Sequence, residues 1–393
     1  MLPSRQRRIL LQHDWNDAVS DRDKNIWIGL SRRGEKTAYE NLDASCTETE
    51  TGKIPCSSDC FEAELINKKQ LVVKCNDSDR RVKFVAPVDQ FPDLHKGSID
   101  SLDVSEEGLG VSAGVDSKLI VWDSKLGEKR RNLNGHVGDV YVCRFFPSGL
   151  VVLSGGADMM LKIWSVETGE CARTLIGHKQ AIFSLGFIGR GKEVVSCSRD
   201  GTAKVWDCGS ADCLNTFTPE AGPLNDLAVA GSASGDCATV NKLLLLASEQ
   251  RRLIGYALDA PNATLLDHLT DSAVTSCCID AQHTAAICGT EQGTIYLFDL
   301  RQLRQPRLVL STDRSAIKRI VKYRDGCLFG CGDGSVYWDI LHGENESKTE
   351  LLEFTGVNVD PINDVAADGN YVYTCCRELK ANIRRYRPFV GES

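Results

Sequence analysis

Three tryptophans, Trp122, Trp164 and Trp206, stand 42 residues apart, and the same interval separates Asp116, Asp158 and Asp200. His95, His136 and His178 follow at intervals of 41 and 42. A chain with this period stacks copies of one supersecondary unit, and a length near 42 is that of a four-stranded propeller blade. The residues inside each unit agree: "DVYVCRFF", "LVVLSGG", "LKIWSV" and "CARTLIG" are short apolar or alternating runs. Pro147-Ser148-Gly149 and Glu167-Thr168-Gly169 supply turns between them. No amphipathic stretch is long enough for the crossover helices that a parallel sheet requires.

The stretches "GHVGDVYVCRFFPSGLVVLSGGADMMLKIWSVETGECARTLIGH" and "FSLGFIGRGKEVVSCSRDGTAKVWD" resemble WD repeats. That resemblance implies a buried hydrogen-bonded chain of four residues in each unit: His before the first strand, Ser on the second, Asp in the next turn and Trp on the third. The matching sets are His136, Ser154, Asp158, Trp164; His178, Ser196, Asp200, Trp206; and, less fully, His95, Ser112, Asp116, Trp122. A turn carboxylate is expensive to bury unless amides and the His donate to it, while Ser links the other ring nitrogen to the indole N–H. Ser, His and Asp together also suggest a nucleophilic triad, but repetition every 42 residues is a property of scaffolding. "GVSAG" at Gly110 to Gly114 matches a nucleophile elbow in letters only, because an elbow needs a strand, a sharp turn at Ser and a helix. Ser112 reads as mid-strand, so no catalytic residue is expected.

Weaker units follow at about 222–269, 272–310 and 314–352, with Gln250 and Gln292 at turn-Asp positions and Tyr256 and Phe298 in place of Trp. These blades are expected to rely on apolar packing. The last unit, from "PINDV" onward, has three strands, and Val82 to Ala86 is expected to supply its fourth and close the ring. The fold class is therefore all-β: a seven-bladed WD-repeat β-propeller over residues 81–390, preceded by a small β-rich N-terminal domain at 1–80. Insertions at 231–241 and 378–382 lengthen loops of the fourth and seventh blades.

Charge narrows the function. Residues 1–81 hold 14 acidic and 14 basic side chains, so the whole net charge of −8 lies downstream. That argues against sequence-independent nucleic-acid binding and favours a basic protein partner. The 17 cysteines are scattered, with no C-x-x-C pair, so neither a disulfide framework nor a metal site is expected. The N-terminus lacks the apolar core of a secretion signal and no run approaches a membrane span, so a cytoplasmic protein is expected, with the nucleus also open to it.

A closed ring with no nucleotide loop, metal cluster or nucleophile in context reads as a docking surface with no cofactor. On the rim of His linkers and Asp turns, the candidate binding residues outside the buried sets are Lys96, Asp139, Lys179, Arg199, Asp226, Glu249, Glu291, Arg314, Asp360 and Asp364. For each, a solvated loop charge is the simpler reading. The combination "CRFFPSGLVVLSGGAD", "SRDGTAKVWDCG", "YVYTCCR" and "INKK" resembles the proteasomal ATPase-associated factors of animals. The resemblance implies binding to ATPase subunits of the base of the proteasome regulatory particle, as an assembly chaperone opposing premature docking onto the proteolytic core. A monomer is expected. The alternative is a substrate receptor of a cullin-RING ubiquitin ligase, since "FDLR" (Phe298 to Arg301) resembles the adaptor motif W-D-x-R without its Trp.

Overall fold

Each unit of the repeat is an antiparallel four-stranded sheet in a computed structural model that describes residues 8–21, 25–31, 36–43, 53–54, 56, 60–76, 81–230, 243–280, 284–341, 351–357, 360–378 and 382–389. The second blade shows the plan: strands Val140–Phe145, Val151–Gly156, Met160–Ser165 and Cys171–Ile176 lie side by side in sequence order. Its second strand is buried almost throughout, because both faces are covered by neighbouring blades, whereas the fourth is mostly exposed at the outer edge. The innermost strands, Ile99–Val104, Val140–Phe145, Ile182–Ile188, Leu224–Val229, Val274–Asp280, Ile317–Tyr323 and Ile362–Ala367, pack one against the next. The seventh returns to the first, giving a closed ring of seven blades.

The closing strand is not the one the sequence pointed to. Asp89–Pro92 pairs antiparallel with Asn382–Tyr386 and completes the seventh blade. Arg81–Val85 instead runs parallel to Leu351–Phe354, the outer strand of the sixth blade, and antiparallel to Gln70–Cys75. The two segments are close in sequence, but their apolar residues fit different cores. Val82 and Phe84 face Ile26, Ile28, Leu71 and Val73 of the N-terminal region, whereas Phe91 joins Trp122, Tyr373 and Ile383 between the seventh and first blades. Burying a side chain the size of Phe91 contributes about 2 kcal/mol to keeping the closing strand in place.

The sixth blade therefore grows into an eight-stranded sheet, continuing through Arg81–Val85, Gln70–Cys75, Phe61–Asn67 and Lys53–Ile54. A three-stranded sheet of Arg8–Leu11, Asn25–Ser31 and Ala38–Asp43 packs on it through Ile9, Leu11, Ile26, Ile28 and Leu42. The short helix Trp15–Ser20 inserts a fully buried Trp15, whose indole N–H donates to the Thr355 hydroxyl at 2.9 Å. The expected division between residues 80 and 81 thus falls beside strands of one continuous sheet. The insertion at 231–241 and residues 379–381 of the other lie outside the described residues.

A chain starting at residue 95 lacks the closing strand, whereas one starting at residue 86 keeps it and loses only the N-terminal sheets. The first is expected to lose cooperative thermal unfolding and aggregate on size-exclusion chromatography, the second to retain a cooperative transition; indistinguishable behaviour would contradict this closure.

Candidate functional site

The repeat's polar sets come first, because they fix the loops of one rim. His136 Nδ1 lies 2.8 Å from Asp158 Oδ2 and its Nε2 2.7 Å from Ser154 Oγ, which accepts the Trp164 indole N–H at 2.8 Å. His178, Asp200, Ser196 and Trp206 repeat this at 3.0, 2.7 and 2.9 Å. His95 meets Asp116 at 2.9 Å and Ser112 at 2.8 Å, but among the described residues Trp122 Nε1 has no hydrogen-bond partner. The cause is one residue. Gly110 stands opposite Trp122 where Val152 and Val194 stand opposite Trp164 and Trp206, and the Trp122 ring lies where a Cβ on Gly110 would sit, 2.3 Å away.

Burial pushes the Asp116 carboxyl up, but His95 and the amides of Lys96 and Lys118 more than offset this and hold it at about 2. Asp158 and Asp200 are held below the ordinary range in the same way by His136 and His178. Ser112, Ser154 and Ser196 have no exposed surface, and Ser112 sits within the strand Leu109–Gly114, with no helix after it.

The candidate rim residues separate into distinct groups. Asp226 and Asp364 are buried, so they are not free rim charges. They belong to a belt across the ring axis, made by the third residue of each innermost strand: Ser101, Val142, Ser184, Asp226, Ser276, Arg319 and Asp364. Arg319 bridges the two carboxylates, with Nη1 3.2 Å from Asp226 and Nε 3.1 Å from Asp364. Ser184 and Ser276 donate to Asp226 at 2.6 and 2.7 Å, while Ser101 and Arg144 donate to Asp364, each at 2.8 Å. Burial raises the Asp364 carboxyl, but Arg144 and Arg319 outweigh it and keep it below the usual range.

Arg314 is likewise no rim residue. It is buried over the Tyr337 ring, 4.1 Å from its centroid, and bonded to Glu353 at 2.7 Å. Glu353 also accepts from Arg8 at 3.0 Å, and Arg8 reaches the turn carboxylate of Asp333 at 2.6 Å. In the sixth blade the N-terminal region thus supplies the partner of the turn carboxylate, a place taken by a linker His in the first three blades.

Above the belt opens a funnel of about 590 Å³. Its lining follows from a backbone device. In all seven blades the pairing of the first two strands slips at the start of the innermost strand, leaving one bulged residue: Asp100, Tyr141, Phe183, Asn225, Thr275, Lys318 and Asn363. All seven line the funnel, because a bulge turns its side chain out of the sheet's alternation. A second row comes from the turns between the second and third strands, each pinned by a backbone N–H hydrogen bond to the linker of its blade. Arg199 donates to the Ala181 carbonyl at 2.9 Å, Glu249 to Pro223 at 3.0 Å and Glu291 to Ala273 at 2.9 Å. Their exposed side chains stand at the funnel mouth.

Asp139 and Asp360 are half-buried in linkers, and Lys96 and Lys179 give their amides to Asp116 and Asp200 while their side chains are exposed. The bulge row was missed in the sequence, although a signal exists: each member follows a fully buried aliphatic, as Asp100 follows Ile99 and Lys318 follows Ile317. Among the described residues no group of three or more His, Cys, Asp or Glu is placed to hold a metal ion, and no helix is long and apolar enough to cross a membrane.

Replacing Arg319 with Leu leaves two buried carboxylates without their shared cation. A loss of about 3 kcal/mol or more is expected, read as a lower urea midpoint, whereas Glu249→Gln at the exposed mouth leaves the midpoint in place. An unshifted midpoint for Arg319→Leu would remove the belt from the account of stability.

Two segments, residues 127–165 and 169–207, match the family model for the WD domain, G-beta repeat. Across its length the chain is similar to the chicken (Gallus gallus) protein named proteasomal ATPase-associated factor 1, with 41% identity over 96% of this chain and 97% of that protein. The human (Homo sapiens) protein of that name is 41% identical over the same shares of the two chains. The protein named probable proteasomal ATPase-associated factor 1 in Dictyostelium discoideum is 35% identical over 94% of each. With a WD-repeat propeller, an N-terminal β-region fused to it and near full-length similarity to these relatives, the chain belongs to the proteasomal ATPase-associated factor family.

Proposed function

We propose that this protein is a non-catalytic scaffold that binds ATPase subunits of the base of the proteasome regulatory particle through the funnel mouth. It acts there as an assembly chaperone and opposes premature docking onto the proteolytic core. The observation that carries the reading is the mouth itself, where Glu249 and Glu291 project from adjacent blades beside Lys318. The names of the relatives supply the class of partner, and the excess of acidic residues downstream of residue 81 supplies long-range attraction for a basic one.

The mechanism is steric. A ring held on an ATPase surface covers it until assembly displaces the ring, and no bond is made or broken. Burial of every serine in the three polar sets favours this over hydrolysis. The ligase-adaptor reading gains no support, because Arg301 folds back on Asp299 of its own turn, with Nη2 2.8 Å from Oδ2. The working form is a monomer in the cytoplasm and nucleus, with no nucleic acid bound.

Individual purified base ATPases are to be passed over the immobilised protein at moderate salt. At least one is expected to be retained, and the double change Glu249→Lys, Glu291→Lys weakens its retention about tenfold. Retention of none by the wild type would overturn the partner, and undiminished retention by the double variant would move the site away from the mouth.

A further inference from the structure

One corner of the mouth differs from the rest. Asp100, Tyr141 and Phe183 are bulge residues of three consecutive blades, so their side chains share one arc of the funnel wall. The Tyr141 and Phe183 rings are 5.5 Å apart and inclined at 52°. Asp139, in the linker ahead of the second blade, lies close enough to act on both Asp100 and Tyr141. Among the described residues neither Asp100 nor Asp139 has an ion-pair partner, and the Asn363 amide reaches Asp100 only at 3.5 Å. The other charges facing this arc are Arg377 from the seventh blade and Arg199 from the third. Partial burial and the repulsion of Asp139, opposed in part by Arg377, push the Asp100 carboxyl up to about 6.

Two like charges set together beside aromatic faces make a costly arrangement that a guest cation relieves. We propose that this corner takes a single basic side chain of the partner, an Arg above all, with its charge on Asp100 and Asp139 and its plane against the Tyr141 and Phe183 rings. Arg is favoured over Lys because a guanidinium both forks onto carboxylates and stacks on rings. Arg377 and Arg199 also act on this arc, which limits the corner to one guest cation. This deepens the proposed binding reading and rests on it for the identity of the partner, although the corner is testable without that partner.

The probe is N-acetyl-arginine amide against the full chain, followed by saturation-transfer NMR, with N-acetyl-citrulline amide as the uncharged isostere. Arginine amide is expected to bind at pH 7.5, to bind about tenfold more weakly at pH 5 as Asp100 takes up its proton, and to be lost in Asp100→Asn; citrulline amide gives no signal. Asp139→Asn serves as the second variant should Asp100→Asn disturb the thermal transition. Absence of arginine binding, equal binding of citrulline, or binding unchanged in both variants overturns the inference. Arginine binding without retention of any ATPase subunit would instead overturn the partner and leave the corner standing.

Discussion

Seven stacked sheets have two open ends unless the first and last meet, and here that meeting rests on four residues. Asp89–Pro92, carried from the N-terminal side of the ring, pairs with the last described strand of the chain. Around it the Val88 amide donates to the Arg385 carbonyl at 2.7 Å, and Arg385 holds Asp89 and the Ser124 carbonyl of the first blade. Closure places Asp364 of the last blade against Ser101 of the first. The charged belt across the axis can form only then, and it supports the floor of the funnel. Local strand pairing, a long-range closure and a buried polar crossing are therefore coupled, since losing the closing strand also strips Asp364 of its first-blade donors, the Ser101 hydroxyl and the Leu102 amide.

The N-terminal region is fused to this ring at one place. It extends the sixth blade edge to edge, covers the outer strand Leu351–Phe354, and reaches over with Arg8 and Trp15 to Asp333, Glu353 and Thr355. Burial raises the Glu353 carboxyl, but Arg314 and Arg8 together outweigh it and keep it below its ordinary value. A blade lacking the linker His is thus held by charges borrowed from another part of the chain. The arrangement also blunts a sheet edge that would otherwise be open to association.

Much of this was legible in the residues, for reasons that differ by element. The second and third blades match the WD-repeat pattern in full, so the resemblance assigns His136 to Trp164 and His178 to Trp206 their places. The number of blades followed from counting the repeat units. Closure was misplaced because Val82–Ala86 and Asp89–Pro92 both offer apolar residues to a neighbouring core, and pattern alone does not say which core. Asp226, Asp364 and Arg314 read as rim charges in the sequence because a lone charged residue in a strand or linker looks solvated; their partners Arg319, Arg144 and Glu353 lie 93, 220 and 39 residues away. The funnel row was missed for a different reason, since a bulge is a mismatch between two strands, and the aliphatic ahead of each member is its one mark in the sequence.

The central claim is that the partner sits on the mouth built by the bulge row and the second-to-third-strand turns. Hydrogen–deuterium exchange of the full chain, with and without a retained base ATPase subunit, tests it most directly. Slower exchange is expected in Ser98–Ser101, Asp139–Val142 and Ala181–Ser184 and in the turns at Glu249 and Glu291, with the opposite loops Ser105–Gly108 and Phe146–Gly149 unchanged. Protection confined to those opposite loops, or to residues 8–76, would contradict it.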